Sequence, residues 1–209
     1  STKEAVFLTQ SAKEAGADAS LLVTPYYNKP NQQGLFEHYK AINDAVKMPQ
    51  ILYNVPSRTG CDIENETVIL LSQLSNIIGI KDATGELERI DFLKDKVKNN
   101  FIFISGDDLT FLDYMERGGC GVISVTANIK PDLMHNICHS FMNGNHEKSR
   151  TINNKLASLH KAMFIDSNPM PVKWLLNYLG LINSGIRLPL VDLDKKYQTK
   201  LVEAFKAIR

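Results

Sequence analysis

The sequence predicts an α/β protein in which five parallel strands alternate with helices and a purely helical segment follows. Three observations support this. Short apolar runs bounded by turn residues recur at intervals of roughly 20 to 30 residues, the spacing of consecutive right-handed βαβ units. The segments between them place apolar residues at helical periodicity. After Asn128 no strand-like run returns.

The elements follow in order. Ala5, Leu8, Ala12 and Ala15 lie at helical spacing, Ser1 or Thr2 can cap, and Gly16 stops the helix, which gives a first helix from about Thr2 to Ala15. Leu21 to Tyr27 reads as a strand and Asn28-Lys29-Pro30-Asn31 as the loop after it. Leu35, Tyr39, Ile42 and Val46 mark a second helix closed before Pro49. Gln50 to Val55 is the next strand, followed by Pro56 and a loop Ser57-Arg58-Thr59-Gly60. Glu64 to Leu74 is helical and leads into Ile77-Ile78-Gly79-Ile80-Lys81, an apolar run ending in a lysine. Glu86 to Lys98 is helix, Phe101 to Gly106 strand, Leu109 to Glu116 helix ended by Gly118-Gly119, and Gly121 to Val125 the last strand. Pro131 then opens a helix to about Asn143; further helices span about Glu147 to Phe164, Pro171 to Leu179 and Lys195 to Ile208. The expected organisation is a strand-bearing part over 1–130 and C-terminal helices packed on it over 131–209.

Composition narrows the function. With 44% hydrophobic and 22% charged residues, a formal net charge of +1 and no basic cluster interleaved with aromatics, the chain is a poor candidate for nucleic acid or anionic membrane. A small neutral or acidic metabolite fits better. Cys61, Cys120 and Cys138 are odd in number and far apart, without a CxxC pair, and read as reduced thiols of a cytoplasmic protein. No apolar run approaches the ~20 residues of a membrane span.

Ligands of parallel α/β folds bind at the carboxyl ends of the strands. Here those ends carry Tyr26-Tyr27, Tyr53 with Arg58 beyond it, Lys81, Gly106-Asp107-Asp108, and Ser124 to Asn128. If the strands are neighbours, these groups converge. The chemistry suggested is amine catalysis on a carbonyl. A free lysine is neutral about once in 2,500 molecules at neutral pH, and burial or a nearby cation raises that fraction. Tyr53 has the hydroxyl needed to shuttle protons, and Arg58 could fork onto a carboxylate. Each also has a plainer reading: Lys81 snorkelling off a strand end, Tyr53 a satisfied core tyrosine, Arg58 a solvated loop residue. Asp107-Asp108 read as a helix cap before an acid pair or metal site. His135 and His139 have the spacing of a zinc pair, but Asn136 stands where a zincin has Glu, so they read as helix-surface residues. Met134, Ile137, Cys138 and Phe141 form a core stripe.

Five stretches together resemble the dihydrodipicolinate synthase family: Val23-Thr24-Pro25-Tyr26-Tyr27-Asn28, Tyr53 to Gly60, Gly79 to Gly85, Ser105 to Asp108, and Gly121 to Asn128. Asn168-Pro169-Met170-Pro171-Val172-Lys173 extends the match into the helical part. The resemblance implies a TIM (β/α)8-type barrel with a C-terminal helical appendage. It also implies a pyruvate-dependent class I aldolase-type lyase of lysine and diaminopimelate biosynthesis, cytoplasmic and homo-oligomeric as a dimer or tetramer. By that resemblance pyruvate forms a Schiff base on Lys81, with no other cofactor and no metal, and its enamine attacks L-aspartate 4-semialdehyde to give 4-hydroxy-tetrahydrodipicolinate. Tyr53 would relay protons, Arg58 would guide the semialdehyde carboxylate, and Tyr27 would enter a neighbouring subunit's site. Gly106 and the backbone carbonyl of Ile123 would line the pocket.

The Ser57-Arg58-Thr59-Gly60 loop resembles the synthases more than their sialic-acid lyase and ketodeoxy-sugar aldolase relatives. The family pattern begins with three further βα units carrying a Gly-Thr-Thr-Gly stretch whose threonines bind the pyruvate carboxylate. That stretch is not in these 209 residues, so the expectation is the carboxy-terminal two thirds of such an enzyme, five of eight barrel strands. The rival expectations are another 2-oxo-acid aldolase of the N-acetylneuraminate lyase superfamily, or an inactive fragment serving as an assembly partner.

Overall fold

A computed structural model describes residues 1–208, which divide into two compact units, residues 1–123 and residues from Ser124 onward. The first unit holds a sheet of five strands in the order β1-β2-β3-β4-β5: Ser20–Val23, Gln50–Asn54, Ile77–Asp82, Ile102–Ser105 and Gly121–Val122. Every neighbouring pair is parallel. Around it run α1 (Thr2–Glu14), α2 (Gln32–Ala45), α3 (Pro56–Thr59), α4 (Asn65–Ser72), α5 (Leu87–Leu93) and α6 (Phe111–Glu116).

Sequential strands pair because each returning helix buries one apolar face on the sheet, which right-handed crossovers permit. Leu35, Tyr39 and Ile42 of α2, Val68 and Leu71 of α4, and Ile90 and Leu93 of α5 pack with Leu52, Ile77, Ile80 and Phe103 into one core cluster. Each fully buried aliphatic side chain of this kind contributes about 1.5–3 kcal/mol relative to exposure. Ser1 caps α1 by accepting from the Glu4 N–H, as expected. Thr2 Oγ1 lies 2.9 Å from His38 Nδ1, which joins α1 to α2.

Several element bounds differ from the sequence expectation, each for a local reason. β1 ends at Val23 instead of running to Tyr27: Thr24 N–H still donates to the Tyr53 carbonyl, but Pro25 has no N–H to continue the ladder. The expected loop Ser57-Arg58-Thr59-Gly60 is mostly a single helical turn, α3, with Pro56 at its start and Gly60 in the left-handed conformation (φ 67°) at its end. α6 begins at Phe111 because Asp107 Oδ2 accepts from both the N–H (3.0 Å) and the Oγ1 (2.7 Å) of Thr110, holding 107–110 as a turn. β5 is only two residues long: beyond it Ser124 Oγ accepts from the Ala127 N–H, and the backbone leaves the extended conformation for a 3-10 turn at Thr126–Asn128.

The second unit contains α7 (Pro131–Met142), α8 (His146–Ala162), α9 (Met170–Tyr178) and α10 (Lys195–Lys206). Met134 and Ile137 of the expected core stripe are buried, as are Leu156 and Leu159 of α8 and Leu201 of α10. Ser149 Oγ donates to the Ile137 carbonyl at 2.9 Å, which ties α8 to α7. His135 and His139 are exposed on α7 and stack at 5.5 Å between ring centroids, with Asn143 Nδ2 3.1 Å from His139 Nε2. Among the described residues no helix is long and apolar enough to cross a membrane.

Candidate active site

The centre of the first unit is the carboxyl end of β3. In the parallel register Val23 pairs with Tyr53, Tyr53 with Lys81 and Lys81 with Ile104. Residues in register on neighbouring strands point to the same face. Lys81 is only 8% exposed, and its Nζ sits 3.9 Å from the centroid of the Tyr53 ring. This is the pair that the strand-end argument anticipated. Burial lowers the pKa of the Lys81 amine below its ordinary value, and the Asp108 carboxylate, buried beyond the end of β4, opposes that shift. Burial raises the pKa of the Tyr53 phenol, and the positive charge of Arg58 works the other way. At neutral pH the pair therefore offers an amine poised toward its neutral form beside a protonated hydroxyl.

Gly106 forms the wall beside the amine. Its N–H donates to the Asp82 carbonyl at 2.6 Å, and a side chain there would lie 2.9 Å from Lys81 Cε and 2.7 Å from Ala83 Cβ. Only a glycine leaves room for the lysine at this point. Ile123 follows β5, and its N–H donates to the Ser105 carbonyl at 3.0 Å, which places it next to the 105–106 segment; its side chain is 47% exposed. Arg58 is exposed on α3, whose turn is fixed by Thr59: Oγ1 donates toward the carbonyls of Val55 and Cys61 and accepts from the Cys61 N–H.

Tyr27 stands apart. Its side chain is 93% exposed, clear of the Lys81–Tyr53 pair, and its φ of 71° is unusual for a non-glycine residue. The loop that carries it is tied to the segment after α3. Cys61 Sγ donates to the Pro30 carbonyl, Gln32 Nε2 donates to the Asp62 carbonyl, and Gln32 Oε1 accepts from Glu64 N–H and Thr67 Oγ1.

Sequence reasoning missed the polar network on the opposite face of the same strands. Arg89 of α5 donates through Nε to Asp82 Oδ2 (3.0 Å), through one terminal nitrogen to Asp62 Oδ2 (3.1 Å) and through the other to the Ile63 carbonyl (2.6 Å). Asn54 Nδ2 donates to Asp62 Oδ1 at 2.6 Å, and Asn54 Oδ1 accepts from the Ile63 N–H at 3.1 Å. Burial pushes the Asp82 carboxyl up from the ordinary carboxylate range, while the Arg89 guanidinium and Thr84 pull it back. A signal was present: Arg89 sits beside Ile90 and four residues before Leu93, on the buried side of its helix, where an arginine requires partners. Among the described residues no group of three or more His, Cys, Asp or Glu side chains is arranged to hold a metal ion.

The sequence model of the Dihydrodipicolinate synthetase family matches residues 1–208. The chain belongs to that family. It is 54% identical over 206 residues to 4-hydroxy-tetrahydrodipicolinate synthase of Stutzerimonas stutzeri, covering 99% of this chain and 70% of the relative. The synthase of Pseudomonas aeruginosa is 53% identical with the same coverage. Among solved structures, the chloride-inhibited dihydrodipicolinate synthase of Acinetobacter baumannii complexed with pyruvate matches with a TM-score of 0.96 and 51% identity, over 100% of this chain and 72% of that one. The dihydrodipicolinate synthase of Aquifex aeolicus matches with a TM-score of 0.95 and 40% identity, over 99% and 71%. The chain thus spans about 70% of the length of these relatives. Its architecture is that of the family's TIM-type barrel, of which it supplies five parallel strands with their flanking helices.

Proposed function

We propose that the chain works as a 4-hydroxy-tetrahydrodipicolinate synthase, a Schiff-base lyase that condenses pyruvate with L-aspartate 4-semialdehyde in lysine and diaminopimelate biosynthesis. One observation carries the reading: a lysine buried at the carboxyl end of a central strand, with its amine over the Tyr53 ring. The relatives named for this reaction, at about half identity over nearly the whole chain, support it.

In this reading the neutral Lys81 amine attacks the keto carbon of pyruvate to give a carbinolamine, and loss of water gives the Schiff base. The iminium is the electron sink, so the chemistry calls for no further cofactor and no metal. Loss of a methyl proton yields an enamine, whose carbon attacks the aldehyde of the semialdehyde. The amine of the second substrate then displaces Lys81 from the imine carbon, closing the ring and restoring the enzyme; the net reaction releases one water. Tyr53 moves the protons of the carbinolamine steps, for which its hydroxyl must stay protonated at rest, as its burial favours. Arg58 receives the semialdehyde carboxylate at the exposed mouth. Gly106 and the Ile123 carbonyl line the pocket.

Tyr27 is assigned a role in a neighbouring copy of the chain: a ring 93% exposed on a strained backbone suits insertion into another subunit. The protein is accordingly read as a homo-oligomer, dimer or tetramer, although one solved relative is described as a monomeric variant. Light scattering decides the state. A cytoplasmic location fits the three free cysteines.

The test of the function is reductive trapping. Pyruvate with borohydride should add mass at Lys81, located by peptide mass spectrometry. Absence of an adduct in protein shown by circular dichroism to be folded overturns the reading.

A further inference from the structure

We infer that Arg89 is a positioning residue for the amine chemistry, acting through the back face of the two strands that carry the reacting groups. The inference rests on the Schiff-base reading above. Adjacent residues on a strand point to opposite faces. Tyr53 and Lys81 pair in register on one face; Asn54 and Asp82, each the next residue, pair in register on the other. Arg89 grips that second face, through Asp82 directly and through Asp62, which Asn54 also holds. Its third bond, to the Ile63 carbonyl, fixes the segment that follows α3 and therefore the turn bearing Arg58.

The arrangement is built for geometry more than for binding energy. Arg89 is 8% exposed, and the ion pair with Asp82 lies out of water, where desolvation offsets much of the attraction. What a planar fork contributes is three directed bonds at once, one to the end of β3 and two to the loop after α3, whose Asp62 in turn holds Asn54 of β2, which an ammonium cannot reproduce. The end of β2, the end of β3 and the loop after α3 are thereby held in one mutual orientation. Those segments bear Tyr53, Lys81 and Arg58. A displacement of about 1 Å between reacting groups costs about a hundredfold in rate.

Arg89→Lys keeps a cation for Asp82 while losing the fork, so it tests position separately from charge. Asp62→Asn cuts the fork at its more solvent-exposed end and serves if Arg89→Lys fails to fold. The readouts are the rate constant of pyruvate trapping at Lys81 at saturating pyruvate, the half-saturating pyruvate concentration, and Tm. In folded variants assayed well below Tm, the expected result is a rate constant reduced about tenfold or more with half-saturation within about twofold of the parent. Parent-like rate constants in either folded variant, with only Tm lowered, overturn the inference and leave a structural role. If the parent itself traps no pyruvate, the Schiff-base reading fails and this inference falls with it; trapping by the parent separates the two failures.

Discussion

Gly106→Ala tests whether the wall of the pocket sets the position of the amine. The added Cβ would lie 2.7 Å from Ala83 Cβ, 3.2 Å from Ala83 Cα and 2.9 Å from Lys81 Cε, where carbon contacts settle at about 3.5–4.0 Å. Neither Ala83 nor the backbone of residue 106 itself can move easily. Ala83 is held by its N–H to the Asn54 carbonyl at 2.9 Å, and residue 106 by its own N–H to the Asp82 carbonyl at 2.6 Å. The side chain free to yield is Lys81, and it must give by roughly 1 Å to reach an ordinary contact. Overpacking of this size costs about 1–3 kcal/mol, so Tm should fall by about 2–12 °C at about 2–4 °C per kcal/mol for a chain of this size. The trapping rate at Lys81 should fall much further, by about a hundredfold, because the displaced atom carries the nucleophile. Peptide mass spectrometry after timed borohydride quenches gives the rate, and calorimetry gives Tm. A variant that loses stability but traps pyruvate at the parent's rate would refute the reasoning, since the backbone and not the lysine would then have given way.

Three further outcomes are expected. Tyr53→Phe keeps the ring against the Lys81 amine but removes the hydroxyl, so Tm should hold while trapping slows by about 10²–10⁴-fold, read by the same quenched assay. Lys81→Met should abolish trapping. Because burial lowers the lysine's folded pKa, the folded state holds the proton less tightly than the unfolded chain; the resulting cost is fully present below the folded pKa and is relieved as pH rises from there toward the unfolded value, so the methionine variant's Tm advantage over the parent should be greatest at low pH and shrink at alkaline pH. Asp108→Asn removes the carboxylate that favours the ammonium of Lys81, so the midpoint of the trapping rate against pH should move to lower pH; an unmoved or raised midpoint contradicts the assigned cause.

The sheet and its central pair were legible in the sequence because both depend on local pattern. Apolar runs of strand length separated by helical periodicity dictate a parallel sheet, and a parallel sheet gathers its strand ends. Asp107 was expected as a helix cap and instead closes the turn 107–110 ahead of α6, whose N-cap is Thr110; its partner Thr110 is only three residues away, so a local role was legible. Arg89 was legible only as an arginine on the buried side of its helix; its partners Asp62 and Ile63 lie 27 and 26 residues distant, and nothing short of the folded register brings them to one place. Tyr27 was misplaced on a strand because Tyr and Val have high strand propensity, whereas the ladder is stopped by the missing N–H of Pro25.

The pairing of Tyr53 with Lys81 depends on an irregularity that no periodicity announces. At the start of the β2–β3 ladder Gln50 pairs with Ile77, yet the next residue, Ile51, pairs with Gly79, so Ile78 is an extra residue on β3. Had the first pairing continued without it, Ile51 would face Ile78 and Tyr53 would face Ile80, with Asn54 beside Lys81. The phenol would then lie next to an aliphatic core residue, and the amine next to an amide. One inserted residue instead aligns the two chemical groups on one face and, by the same step, Asn54 with Asp82 on the other, where Arg89 holds them. Bulges shift side chains from one face to the other and concentrate near active sites for this reason. The same offset therefore brings both the reacting pair and the network behind it into register, and a change that erased it would disturb the two together.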